Sequence, residues 1–192
     1  MAEVLLFHHA LGLTRGVEDF AGMLRRSGHS VHVPDLYEGN VFETLQEGLD
    51  YAGNVGFATF LERGRAAADE LPSGIVYAGF SLGVMPAQML AQSRQGATGA
   101  LLVHSCVPPG EFGSGWPQGV PAQIHAMDAD PLFVDDGDID AARELTAAVP
   151  EAELFLYPGD AHLFADNTLA SYDAQAADQL TDRVLGFLDR VA

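Results

Sequence analysis

The stretch Gly79-Phe80-Ser81-Leu82-Gly83 decides how this chain is read. It follows an apolar run, Gly74 to Ala78, that predicts a strand, and it opens a segment, Leu82 to Ser93, that predicts a helix. A serine at such a junction, with glycine two residues before and two after, marks a reversal too sharp for flanking side chains. The reversal lifts the hydroxyl out of the sheet. It also aims the amide of Leu82, with the amino end of the helix, at the place where a tetrahedral intermediate carries its charge. Ser81 is therefore the candidate nucleophile and Leu82 a candidate oxyanion donor. The plainer alternative is a glycine-rich turn with an incidental serine.

Outward from that turn the chain alternates. Val4 to Phe7 reads as a buried strand, and a helical pattern through Val17, Phe20, Met23 and Leu24 stops at Gly28. Ser30 to Val33 returns to strand, Tyr37 to Asn54 reads as loop, and Phe57 to Leu71 as helix. Further on, Gly99 to His104, Ala122 to Met127 and Glu153 to Tyr157 predict strands, while Ile139 to Ala148 and Ala174 to Val191 predict helices. Alternation of this kind implies an α/β fold, a mostly parallel twisted sheet with helices on both faces, over one domain spanning residues 1–192. At 192 residues little chain is left for a large lid. In such sheets ligands bind beyond the carboxyl ends of the strands, where Ser81 falls.

Composition narrows the field. The chain carries 27 acidic residues against nine arginines and no lysine, a net charge of -18. That field repels nucleic acid and anionic membranes, so a small-molecule substrate is the expected partner; monomer and homodimer both stay open. Met1 to Phe7 has no basic region and too short an apolar run for a signal sequence or a membrane span, and Cys106 is the sole cysteine. A cytoplasmic location is expected.

A serine hydroxyl needs a base. Of seven histidines, His162 is the best placed, in Gly159-Asp160-Ala161-His162-Leu163-Phe164 between the last strand and the last helix. The acid that orients it should lie between Ser81 and His162 in chain order. Asp130 is preferred because Pro131 imposes an extended conformation on it; Asp128, Asp135 and Asp136 are the alternatives. His8, His9, His104 and His125 fall near strand ends on the same side and could, with Asp128 and Asp130, hold a metal. Polar pocket lining is the preferred reading for them, and neither metal nor cofactor is called for. His9, Leu11, Phe80 and Trp116 are candidate pocket-lining residues, Trp116 from a glycine-rich loop, 107–120, able to fold over the pocket. Cys106 has only His104 as a basic neighbour and reads as a buried structural thiol.

With these residues in view, the chain resembles the dienelactone hydrolase family of the α/β-hydrolase fold over nearly its whole length. The resemblance rests on the serine turn, Phe7-His8-His9-Ala10-Leu11-Gly12, Pro34-Asp35-Leu36-Tyr37, the Asp130 loop, the His162 loop and Asp182-Arg183-Val184-Leu185-Gly186-Phe187-Leu188. It implies that the amide of Ala10 is the second oxyanion donor. Family members that hydrolyse dienelactone use a cysteine held by a glutamate in the first loop, and bind the substrate carboxylate with arginines, one of them four residues after the histidine. Here Ser81 replaces the cysteine, His9 aligns with the glutamate and Asp166 with that arginine. The implied activity is hydrolysis of a small neutral ester, lactone or thioester through an acyl-enzyme. A silent binding protein of the same fold, or acyl transfer or C–C cleavage by the same triad, are the alternatives.

Overall fold

The computed structural model describes residues 1–113 and 115–192. Six parallel strands form one sheet: β1 (Glu3–Phe7), β2 (Ser30–His32), β3 (Val76–Phe80), β4 (Gly99–Val103), β5 (Ala122–Met127) and β6 (Ala152–Tyr157), in the order β2-β1-β3-β4-β5-β6. The helices are α1 (Arg15–Arg26), α2 (Leu45–Val55), α3 (Phe57–Asp69), α4 (Val84–Ser93), α5 (Pro131–Val134), α6 (Asp138–Ala148) and α7 (Ala174–Val191). A single 3₁₀ turn, Ser81–Gly83, joins β3 to α4.

Because strand side chains alternate between faces, each strand feeds two cores. Val4 and Leu6 of β1 join Val17, Ala21 and Leu24 of α1 and Leu180, Val184 and Leu188 of α7. Leu5 and Phe7 face the other way, with Phe60 of α3, Val84, Ala87 and Leu90 of α4, and Ala142 and Leu145 of α6. Both faces are thus covered, the arrangement expected from the alternating pattern. From β1 the chain moves outward to β2, then returns past β1 to β3, so the order reverses between β1 and β3. Phe7 pairs with Gly79 at that junction, which places the end of β1 beside the serine turn.

Three local readings change. The segment expected to be loop contains α2, capped by Thr44, whose side chain accepts from the amide of Glu47 while Glu47 bonds back to the Thr44 amide. Its glycines mask the helical signal. Gly48 is required, since a Cβ there would lie 1.9 Å from the carbonyl oxygen of Ala10. β3 begins at Val76 rather than Gly74 and runs to Phe80, directly before the serine. Finally, a one-turn helix, α5, follows Asp130 directly.

Candidate active site

At the end of β3 the chain turns through Ser81 with φ at 49°, a left-handed conformation costly for a residue with a Cβ. The flanking glycines make the turn possible. A Cβ on Gly79 would sit 2.2 Å from the carbonyl oxygen of Gly83, and one on Gly83 would sit 2.5 Å from that of Phe7 and 2.6 Å from that of His8. All three obstacles are backbone and cannot step aside.

The loop after β6 brings His162 over the turn. Ser81 Oγ donates to His162 Nε2 at 2.9 Å, and His162 Nδ1 donates to Asp130 Oδ2 at 2.6 Å. Asp130 is fully buried, and its other oxygen, Oδ1, accepts the amide of Leu132 as the cap of α5. One carboxylate thus orients the imidazole with one oxygen and is itself held by the other. Asp128 points elsewhere and accepts the Gly159 amide at 3.1 Å, fastening the histidine loop. Asp135 is exposed and Asp136 lies in the cavity wall described below.

His104 lies beside His162, ring centroids 5.6 Å apart, between Phe80 and Phe164. Burial, then the neighbouring histidines, holds its pKa well below the ordinary value, so the ring is neutral. Its Nδ1 has no partner among the described residues. Of the four non-glycine residues with positive φ among the described residues, three surround the site: Ser81, His104 and Leu163, next to His162.

A cavity of about 200 Å³ opens at Ser81. Leu45 and Leu49 of α2, Leu82, Met85 and Leu132 make its apolar wall; Ser105, Asp136 and Asp138 make a polar one, without lysine or arginine. Burial raises the pKa of Asp138, against hydrogen bonds from the Ser105 hydroxyl and the Cys106 amide. None of His9, Leu11, Phe80 and Trp116, expected as lining residues, borders this cavity. Phe80 is buried edge-on against Phe20, and Leu11 is buried in the turn after β1. Trp116 donates its indole N–H to the carbonyl of Val120. Its loop is tied to α4, where Gln88 bonds the carbonyl of Val107 and Gln92 those of Pro109 and Gly115. A larger crevice of about 360 Å³, beside α1 and α7, contains none of the residues at Ser81.

His9 turns away from the cavity. Its Nε2 donates to Asp166 Oδ2 at 2.9 Å and its Nδ1 accepts the amide of Leu11 at 3.3 Å. Asp166 is buried against the start of α1 and does not border the cavity at Ser81, where the carboxylates are those of Asp136 and Asp138. The remaining histidines are spent separately: His8 Nε2 accepts the Leu36 amide, and His125 bonds Tyr157. Among the described residues, no group of three or more His, Cys, Asp or Glu side chains is placed to hold a metal ion. Cys106 is buried and its thiol pKa is pushed up to about 12, mainly by desolvation.

Comparison with protein families matches the chain to the dienelactone hydrolase family over residues 1–192. The chain belongs to the dienelactone hydrolase family. Among solved structures it is similar to a dienelactone hydrolase-like promiscuous phosphotriesterase from metagenomic libraries, with 19% identity, 100% of this chain and 87% of that one covered, and a TM-score of 0.81. It is also similar to Thermogutta terrifontis esterase 2 phosphonylated by cyclosarin, with 18% identity, 100% and 83% coverage and a TM-score of 0.67. A thioesterase domain from the curacin biosynthetic pathway shares 16% identity over 93% of this chain and 90% of that one, at a TM-score of 0.62. A search of curated proteins gives no match. These likenesses fix the α/β-hydrolase fold, and family membership makes the chain a hydrolase. His9 and Asp166, the two positions that the sequence reading sets apart from the family pattern, are partners of each other. Among the described residues no helix is long and apolar enough to cross a membrane.

Proposed function

We propose that this hydrolase cleaves a small, neutral ester, lactone or thioester through an acyl-enzyme on Ser81. The observation that carries the reading is the unbroken relay from Ser81 Oγ through His162 to Asp130. His162 Nε2 takes the hydroxyl proton as Oγ attacks the carbonyl, and Asp130 fixes the tautomer and stabilises the imidazolium. The amides of Leu82 and Ala10 receive the oxyanion. His162 then returns the proton to the leaving oxygen or sulfur, and water repeats the sequence to free the acid.

The cavity supports the choice of substrate. About 200 Å³ is small beside drug-sized pockets of roughly 300–1,000 Å³, which favours short acyl chains against the leucine wall. A carboxylate bound there would face Asp136 and Asp138 with no cation to offset its desolvation. Reaction with a fluorophosphonate probe tests the assignment. Wild type should be labelled at Ser81 and hydrolyse p-nitrophenyl acetate and butyrate, and Ser81→Ala should do neither. A folded wild type that resists the probe would favour a silent binding protein. Turnover of dienelactone at rates near those of neutral esters would remove the claim of neutrality.

A further inference from the structure

We propose that His9 and Asp166 form a positioning pair that fixes the turn carrying the Ala10 amide, the second oxyanion donor. The inference rests on the acyl-enzyme reading above.

Asp166 has the setting of a permanent acceptor. It is 4% exposed, and its two oxygens receive four hydrogen bonds: His9 Nε2 and the Thr14 hydroxyl on Oδ2, the Thr168 amide and hydroxyl on Oδ1. Thr14 caps α1, and Gly16 in its first turn leaves the space the carboxylate fills, since a Cβ there would lie 1.8 Å from Oδ1. The carboxylate therefore also meets the positive end of a twelve-residue helix. Those bonds hold its pKa below the ordinary range in spite of burial.

An acceptor fixed in this way selects one tautomer of His9. With the proton on Nε2, Nδ1 presents a lone pair, and the Leu11 N–H donates to it. The Gly12 N–H donates to the His9 carbonyl at 3.0 Å, and the Leu11 carbonyl accepts from Phe42 at 2.9 Å. The Ala10 carbonyl is lodged against Gly48 of α2. Of the amides of Ala10, Leu11 and Gly12, only that of Ala10 has no partner among the described residues. A buried N–H left over in a turn whose next two amides are both bound is the form an oxyanion donor takes. The opposite tautomer would set a proton on Nδ1 against the Leu11 N–H and push the turn out of place.

The two amide analogues of histidine separate this role from simple packing. In His9→Asn the side-chain oxygen stands close to Nδ1 and can accept from Leu11, while the contact with Asp166 is lost. In His9→Gln the amide nitrogen stands close to Nε2 and keeps the contact with Asp166, while the Leu11 N–H loses its acceptor. We expect His9→Gln to lower kcat/KM for p-nitrophenyl butyrate, and the rate of phosphonate labelling, by about 10- to 100-fold, and His9→Asn, which loses Asp166 but keeps an acceptor for the Leu11 N–H, to lose several-fold less than His9→Gln. If the pair serves only to anchor α1, His9→Gln is the milder change. That order, or equal losses in both, overturns the proposal.

Asp166→Asn gives an independent reading, because it removes control of the tautomer without altering His9. A folded Asp166→Asn protein labelled as fast as wild type would also overturn the proposal, and a loss of about tenfold or more supports it. Labelling of wild type shows separately whether the acyl-enzyme reading stands. A wild type that is not labelled retires both.

Discussion

Lowering the pH from about 7.5 to about 5 should destabilise the fold through histidines that take no part in the chemistry. His8 and His125 are buried, and desolvation lowers their pKa values from 6.5 to about 4 and about 3. Their hydrogen bonds need a neutral ring, with His8 Nδ1 donating to the His9 carbonyl and Nε2 accepting from Leu36. A histidine whose folded pKa lies below its unfolded one binds fewer protons folded than unfolded. It therefore exacts nothing above pH 6.5, and the penalty grows as the pH falls toward the folded value. At pH 5 the unfolded imidazole is almost wholly charged and the folded ones are still neutral. The gap of about 1.5 pH units costs about 2 kcal/mol for each, or about 4 kcal/mol for the two. His104 acts in the same direction. Relief of acidic self-repulsion acts in the opposite one, as does Asp138, whose pKa is raised. Comparison with a variant removes those background terms. Urea unfolding of wild type and His125→Gln at both pH values should show the loss of stability on acidification to be smaller in the variant by about 2 kcal/mol. Equal losses in the two proteins would mean that His125 is not held neutral by the fold.

Three further outcomes follow from the geometry. Gly83→Ala drives a Cβ to 2.5 Å from the Phe7 carbonyl oxygen, so thermal unfolding should show a loss of about 2–4 kcal/mol along with loss of phosphonate labelling. Asp130→Asn keeps an oxygen to cap α5 but no longer fixes the tautomer of His162; kcat should fall by about 10³–10⁴ while the circular dichroism spectrum is retained. Asp136→Asn removes one of the two charges in the cavity wall. At low salt it should raise kcat/KM for an ester with an anionic acyl chain by about threefold relative to a neutral one, an advantage that added salt erases.

Much of the fold was legible because alternating strand and helix patterns determine which faces are buried, and the glycines around Ser81 have an unambiguous steric meaning. The order Ser81, Asp130, His162 could be read because each residue directly follows a strand end or occupies the loop after one. Directions of side chains beyond the strands could not be read. By sequence His9 reads as pocket-lining, yet a partner 157 residues away holds it outside the cavity at Ser81. Asp166 has local donors in Thr168, but the partners that bury it, His9 and Thr14, lie at the other end of the chain. The left-handed backbone of His104 leaves no mark in its neighbours' identities. For α2 a signal existed, the Thr44 and Glu47 capping pair, but Gly48 and Gly53 outweighed it; Gly48 is there for contact with another loop, against helix propensity.

That contact makes α2 a shared part. One face supplies Leu45 and Leu49 to the apolar wall of the cavity at Ser81, and Gly48 packs against the Ala10 carbonyl, with the Tyr37 hydroxyl bonded to the Gly48 carbonyl behind it. Under the proposed acyl-enzyme reading, substrate choice and turnover rate are therefore not separately heritable in this scaffold. A mutation that slides α2 to admit a bulkier acyl group also shifts the oxyanion turn, so laboratory evolution toward larger substrates should lose speed first and recover it through second changes near Ala10 rather than within the pocket.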